Sequence, residues 1–272
     1  MLSIVIPSRN EPYLQKTIQD LLTKASGEIQ IIAVLDGYWE DIKKYVNDKR
    51  VTYIHFTNSR GMRNAINSGV SIAKGEYILK CDAHCLFDQG YDVKLIEDCR
   101  EKTIVVPRRW ALDPIKWEIE LKNPKYPVDY MYLSNDYHGV VWEEKNKDED
   151  LKIHVIDDLM SSQGSCWFMR KDYFYELELM DESLYGSFAS EFQEVGLKAW
   201  LSGGRVIVNK KTWYCHWHKT ESRGYSLSQA ESKKASDHVL NWMKGGYKWH
   251  KQIHDINWLV AKFAPVPTWN GA

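Results

Sequence analysis

Asp82 and His84 stand one residue apart at the end of Tyr77-Ile78-Leu79-Lys80-Cys81, a mostly apolar run with the length of a buried strand. Side chains of an extended chain alternate faces, so the two point the same way and can grip one ion together. A carboxylate plus an imidazole, with coordination positions left over, suits a divalent cation that holds a phosphate-bearing molecule. The plainer alternative is a loop in which both groups make local hydrogen bonds. Cys81 and Cys85 flank the pair and raise the question of structural zinc. Cys81 faces the other way on the strand, however, and no second cysteine pair supplies the missing ligands.

Other candidate groups fall at element ends. His216 and His218 lie in Trp213-Tyr214-Cys215-His216-Trp217-His218-Lys219, where either can complete a metal site or sit satisfied in an aromatic core. Asp36 stands at the exit of a second apolar run, a place for contact with a nucleobase or ribose, or for a turn with Gly37. Arg60, Gly61, Arg63 and Asn64 stand where a loop enters a helix. Backbone N–H groups and guanidinium forks there suit a diphosphate, or form a solvated helix start. Glu191 and Glu194 occupy the first turn of a helix. They complement its dipole, contact an acceptor or move a proton.

The elements that must position these groups are legible from periodicity. Residues 2–6 form a first strand stopped by Pro7, and a helix opened by Asn10, Glu11 and Pro12 runs to Gly27. Strands follow over 29–35, 51–56, 77–81 and 103–106, alternating with helices over 62–73 and 91–100. That alternation predicts an α/β fold with a mostly parallel sheet. Residues 108–160, with Pro114, Pro124, Pro127 and the charged run 143–150, read as an irregular, partly antiparallel excursion with an exposed loop. A strand over 165–170, helices over 171–178 and 190–201, and a strand over 206–208 restore order. The last fifty residues read as helical.

Composition limits the function classes. The chain has 272 residues, 44% of them hydrophobic, enough for one large domain, and a net charge of −1 that favours neither nucleic acid nor an anionic membrane. Five cysteines, an odd number without CxxC pairing, and no signal peptide after Met1 predict a cytoplasmic protein with free thiols. No apolar run is long enough to span a bilayer. The 12 Trp and 16 Tyr are read mainly as core.

In combination these positions resemble a GT-A glycosyltransferase of family 2, and in particular the mucin-type polypeptide N-acetylgalactosaminyltransferases. Ser3-Ile4-Val5-Ile6-Pro7-Ser8-Arg9-Asn10-Glu11 resembles the opening strand over the uridine. Ile31-Ile32-Ala33-Val34-Leu35-Asp36-Gly37 resembles the strand whose aspartate holds uracil. Arg60-Gly61-Met62-Arg63-Asn64-Ala65 is similar to the donor-binding helix start, and Asp82-Ala83-His84-Cys85 to the Asp-x-His metal motif. Phe188-Ala189-Ser190-Glu191-Phe192-Gln193-Glu194 and Trp200-Leu201-Ser202-Gly203-Gly204 resemble the acidic helix and its exit.

The resemblance implies a Rossmann-like mixed sheet flanked by helices. Its catalytic domain spans 1–219 (nucleotide half 1–107, acceptor half 108–219), with a helical extension over 220–272. It implies Mn²⁺ or Mg²⁺ on Asp82, His84 and His216. A nucleotide-sugar donor, expected to be a UDP-sugar, would lie on Pro7, Arg9, Asp36, Arg60, Gly61, Arg63 and Asp82. Glu191, Asp82 and Lys219 are then the catalytic groups, with Lys219 on the diphosphate. The acceptor is unknown. The family's Trp-Gly-Gly is Phe188-Ala189-Ser190 here, and the aspartate base usual in inverting members is Phe192, which favours retention. Two alternatives remain: a nucleotidyltransferase of similar fold, and a transferase directed to nucleic acid through the Lys- and Trp-bearing tail.

Overall fold

The first strand is apolar on both faces, as a central strand of a doubly covered sheet must be. In the computed structural model, which describes residues 1–39, 41–122, 126–219, 225–226 and 228–269, it runs Leu2–Ser8 (β1) and is followed by the helix Leu14–Lys24 (α1). The strands Ile29–Asp36 (β2) and Val51–Phe56 (β3), helix Met62–Ser71 (α2), strands Tyr77–Cys81 (β4) and Cys85–Phe87 (β5), and helix Tyr91–Asp98 (α3) complete the first half. Next come Thr103–Asp113 (β6), Glu118–Glu120 (β7), Met131–Leu133 (β8), Gly139–Val141 (β9), helices Glu143–Lys147 (α4) and Glu149–Lys152 (α5), and Ile156–Asp158 (β10). The chain then forms Cys166–Arg170 (β11), helices Lys171–Glu176 (α6), Glu182–Tyr185 (α7) and Glu191–Leu201 (α8), and the long strand Arg205–His216 (β12). Helices Gln229–Met243 (α9) and Ile256–Phe263 (α10) close it.

The main sheet has the order β10-β12-β6-β11-β4-β1-β2-β3, with β5 beside β12 and β7 beside β6. Strands β4, β1, β2 and β3 are parallel, as are β6 and β12, but β11 runs antiparallel to both β4 and β6. The sheet is therefore mixed, and the reversal at β11 separates the nucleotide half from the rest. One face packs on α1 and α3 through Ile4, Ile6, Ile18 and Leu95, all fully buried. The other packs on α2 and α8 through Val5, Ile66, Trp167 and Val195.

Several boundaries differ from the sequence expectation for physical reasons. Pro7 does not stop β1. The Leu2 N–H bonds toward β2, so alternation turns position 7 toward β4, whose pairing already ends at Val5. Its missing N–H is not needed there. Helix α1 starts at Leu14 and not near Asn10, because the Glu11 carboxylate accepts from Tyr13 N at 3.2 Å and is turned to other uses below. The charged run 143–150 is helical, not an exposed loop; Asp148 caps α5 by accepting from Asp150 N and Leu151 N. The break expected at Pro124 lies outside the described residues.

Candidate functional site

Topology, not sequence proximity, assembles the site. Asp82 leaves the carboxyl end of β4, His84 precedes β5, and the register of β5 on β12 sets His216 opposite Cys85. One carboxylate oxygen and two imidazole nitrogens thereby converge within 4.8 Å of one another. His216 Nε2 is 3.2 Å from Asp82 Oδ2 and 3.1 Å from His84 Nε2. His84 Nδ1 meets Glu11 Oε2 at 2.8 Å. A carboxylate there holds the ring proton on Nδ1 and leaves the Nε2 lone pair facing the cluster.

The chemistry of this donor set fits a cation. Burial pushes the His216 imidazole down to about 3, despite the neighbouring Asp82, so its ring is neutral at ordinary pH. Burial raises the Asp82 carboxyl, but the Lys80 ammonium and the two histidines outweigh it and hold it well below the usual carboxylate range. One carboxylate oxygen and two imidazole nitrogens at these spacings match the mixed O/N set that divalent ions accept. His218 does not join the cluster, because its Nε2 is 3.1 Å from Arg109 Nη1.

These groups line a cavity of about 760 Å³. Pro7, Arg9, Asp36, Arg60 and Gly61 line it from the nucleotide half, and Glu191, His216 and Lys219 from the other. Asp36 is buried, and both its oxygens serve the loop before α2. Oδ1 accepts from Arg60 N at 2.5 Å; Oδ2 accepts from Ser59 Oγ at 2.7 Å and Gly61 N at 3.1 Å. Arg60 is exposed over the Phe56 ring, and Arg9 lies over Tyr225. Gly61 has φ +93°, and a Cβ there would sit 2.4 Å from Ser187 Cβ, so only glycine lets this loop close on the 186–190 loop. Lys219 Nζ pairs with Glu11 Oε2 at 2.5 Å.

Arg63 is a correction. It is absent from the cavity wall and fully buried behind it, with Nε on Glu194 Oε2 at 3.2 Å and its guanidinium over Tyr185. Position 63 falls on the core-facing side of α2, beside Ile66 and Val70. Glu194 is likewise structural, bonding Arg63, Lys198 and Asp181 N.

Sequence reasoning missed Glu11 and Lys80. Lys80 is 1% exposed in the middle of the sheet, yet its ammonium is fully used: Asp82 Oδ1 at 2.8 Å, Gly164 O at 2.7 Å and Glu191 Oε2 at 3.0 Å. Glu191 Oε1 accepts from Trp167 Nε1 at 2.7 Å. Burial raises the Glu191 carboxyl, against the pull of Lys80. A Cβ on Gly164 would stand 2.8 Å from Glu191 Oε2, so glycine is required there too. The signal was available, since a lysine two residues before Asp82 in an apolar strand shares its face. Lys80→Met is expected to cost about 3–5 kcal/mol, because it leaves Glu191 buried and uncompensated. Adding Glu191→Gln should restore most of that loss in urea denaturation; independent, additive losses would mean the two are not coupled.

With this geometry in view, comparison with known proteins decides the family. The model of glycosyl transferase family 2 matches residues 3–178. The chain belongs to glycosyl transferase family 2. Among curated relatives of this family 2 chain, the glycosyltransferase GlyG of Streptococcus pneumoniae is 31% identical over 108 residues, 38% of this chain and 36% of that protein. A putative polypeptide N-acetylgalactosaminyltransferase 13 of Drosophila melanogaster is 24% identical over 225 residues, covering 76% of this chain and 39% of that protein. The chain thus spans well under half of either relative. Among solved structures, GalNAc-T7 with UDP, GalNAc and Mn²⁺ superposes with a TM-score of 0.72 at 16% identity, over 97% of this chain and 56% of that one. Staphylococcus aureus TarS 1–349 with UDP-GlcNAc gives 0.61 at 14% identity, over 96% and 71%. The architecture is that of the GT-A glycosyltransferases. Among the described residues, no helix is long and apolar enough to cross a membrane.

Proposed function

We propose that this family 2 chain transfers a sugar from a UDP-sugar to an acceptor hydroxyl in a reaction that needs Mn²⁺ or Mg²⁺ and retains configuration. The observation that carries the reading is the convergence of Asp82 Oδ2, His84 Nε2 and His216 Nε2 on the wall of a cavity that also reaches Asp36 and Arg60. Asp82, His84 and His216 would hold the ion, which supplies positive charge where the departing diphosphate becomes negative. The UDP in both solved neighbours, and the Mn²⁺ in one, support that donor and ion.

The chain's own residues do the rest. Glu11 fixes the His84 ring, and Lys80 engages Asp82 Oδ1 so that Oδ2 faces the histidines. Lys219, on the cavity wall, places a second cation beside the leaving group once it turns from Glu11. Retention is supported by the state of the cavity's carboxylates. Glu11, Asp36, Asp82 and Glu191 all line the wall, and each is committed to hydrogen bonds or ion pairs that a general base would have to break. Glu191, held by Lys80 and Trp167, orients the wall in this reading and does not abstract a proton.

Part of the tail that suggested nucleic acid is turned to internal packing. Trp242 and Trp249 of the tail are 3% and 2% exposed, Lys233 pairs with Asp237, and Lys251 pairs with Glu178. Those two aromatic faces are not open to bases, which favours the sugar-acceptor reading. The deciding experiment incubates the protein with a panel of UDP-sugars and Mn²⁺. Release of UDP that stops on chelation is expected. Pyrophosphate release from UTP and a sugar 1-phosphate, assayed in parallel, would identify a nucleotidyltransferase instead, and activity indifferent to chelation would remove the metal from the reading.

A further inference from the structure

Arg109 is a buried charge without a counter-ion. It sits on β6 opposite Tyr214 of β12, and only 6% of it is exposed. Its Nη1 donates to Gln163 Oε1 at 2.8 Å and meets His218 Nε2 at 3.1 Å, while Nη2 approaches Met131 Sδ at 3.5 Å. All three partners are neutral. Among the described residues no carboxylate lies within ion-pair distance of it; the neighbouring Arg108 takes Asp129 instead. Every other deeply buried cation near the cavity has an acid: Lys80 has Asp82 and Glu191, and Arg63 has Glu194. An isolated buried guanidinium is costly and persists only where something offsets it.

Its position says what that something is. Gln163, His218 and Met131 all line the cavity, so Arg109 lies directly behind one wall. In the sheet, β6 is separated from β1 by β11 and β4, which puts this wall across the Asp82 cluster from Asp36 and Arg60. A diphosphate spanning the Asp82 cluster and Lys219 leaves the Gln163 and His218 wall, with Arg109 behind it, on the side of the sugar and acceptor.

We propose that Arg109, with Gln163 and His218, forms an anion subsite that takes a carboxylate or phosphate carried by the transferred sugar or by the acceptor. This rests on the donor reading above and adds a charge requirement to it. Guanidinium forks bind both anions in the same way, so the two sources share one chemistry.

Calorimetry with Mn²⁺ on the wild type and Arg109→Met separates them. One arm compares UDP-glucuronate with UDP-glucose; the other, with saturating UDP, compares glucose 6-phosphate with glucose. In the wild type the anionic member of one pair should bind at least about tenfold tighter than its neutral counterpart, and Arg109→Met should erase that preference. A sensitive first arm puts the anion on the transferred sugar, and a sensitive second arm puts it on the acceptor. No preference in either arm, or one that survives the substitution, overturns the subsite. Binding of UDP alone should be unchanged in the variant. A wild type that fails to bind UDP sinks the donor reading, while the saccharide pair, repeated without UDP, still reports on Arg109. Arg109→Gln, which keeps a donor toward His218, reads the same difference if the methionine variant does not fold. Melting adds a readout that a structural role would move the other way: removing an uncompensated charge should leave the melting temperature equal or higher.

Discussion

Asp82→Ala is expected to lower UDP-sugar turnover by at least about a thousandfold, the size of effect that follows loss of charge stabilisation at a leaving group. Among the three converging ligands Asp82 alone carries a negative charge, and it offers its Oδ2 to the cluster while Oδ1 is occupied by Lys80. Its side chain is 31% exposed, so removing it opens no closed core cavity, and Lys80 keeps Glu191 as a partner. The fold should therefore survive, and the melting curve should remain cooperative. Mn²⁺ affinity, read by electron paramagnetic resonance of the free ion, should fall together with turnover. Asp82→Asn separates charge from shape: it keeps an acceptor for Lys80 yet should lose nearly as much activity. An Asp82→Ala protein with a tenth of wild-type turnover and unchanged Mn²⁺ binding would end the case for this cluster.

Local pattern made much of this legible, and long-range pairing hid the rest. The spacing of Asp82 and His84 singled out the right pair, but β4 ends at Cys81 and both lie in the bend before β5, so it is that bend and not strand alternation that brings them together. His216 was nominated by resemblance; only the β5–β12 register explains why it, and not His218, reaches Asp82. Glu11 carried no sequence signal, since its partner His84 is brought in from the bend between β4 and β5, 73 residues away. Arg63 misled for the opposite reason. A helix start rich in arginine suits phosphate, but one turn of α2 decides which side chain faces the cavity, and 63 shares the face of Ile66. The strands β6 and β12 were read too short, because their second halves trade apolar alternation for Arg, Lys and Trp residues that serve ion pairs and a small separate cluster.

A chain ending at residue 228 is expected not to fold. The tail beyond β12, read from sequence as an extension, shares one hydrophobic core with the sheet: Val239, Trp242, Trp249, Leu259, Val260 and Phe263 are all buried in the same cluster as Trp167 and Trp200. Each large apolar side chain buried is worth about 1.5–3 kcal/mol, so losing these six is comparable with the whole of the roughly 5–15 kcal/mol by which a domain is stable. Polar ties point the same way. Ile253 N and His254 N both donate to Leu201 O, and Lys251 pairs with Glu178. The tail also reaches the cavity, where Glu231 Oε2 accepts from Ser187 N at 2.7 Å and so holds the loop that faces Gly61. The truncated chain should show no cooperative thermal transition, and it should bind a hydrophobic dye. The milder Glu231→Ala, which frees only the 186–190 loop, should keep the fold and weaken UDP binding several-fold. A cooperative melt of residues 1–228 within a few degrees of the full chain would make the tail an appendage, and the cavity would then owe nothing to it.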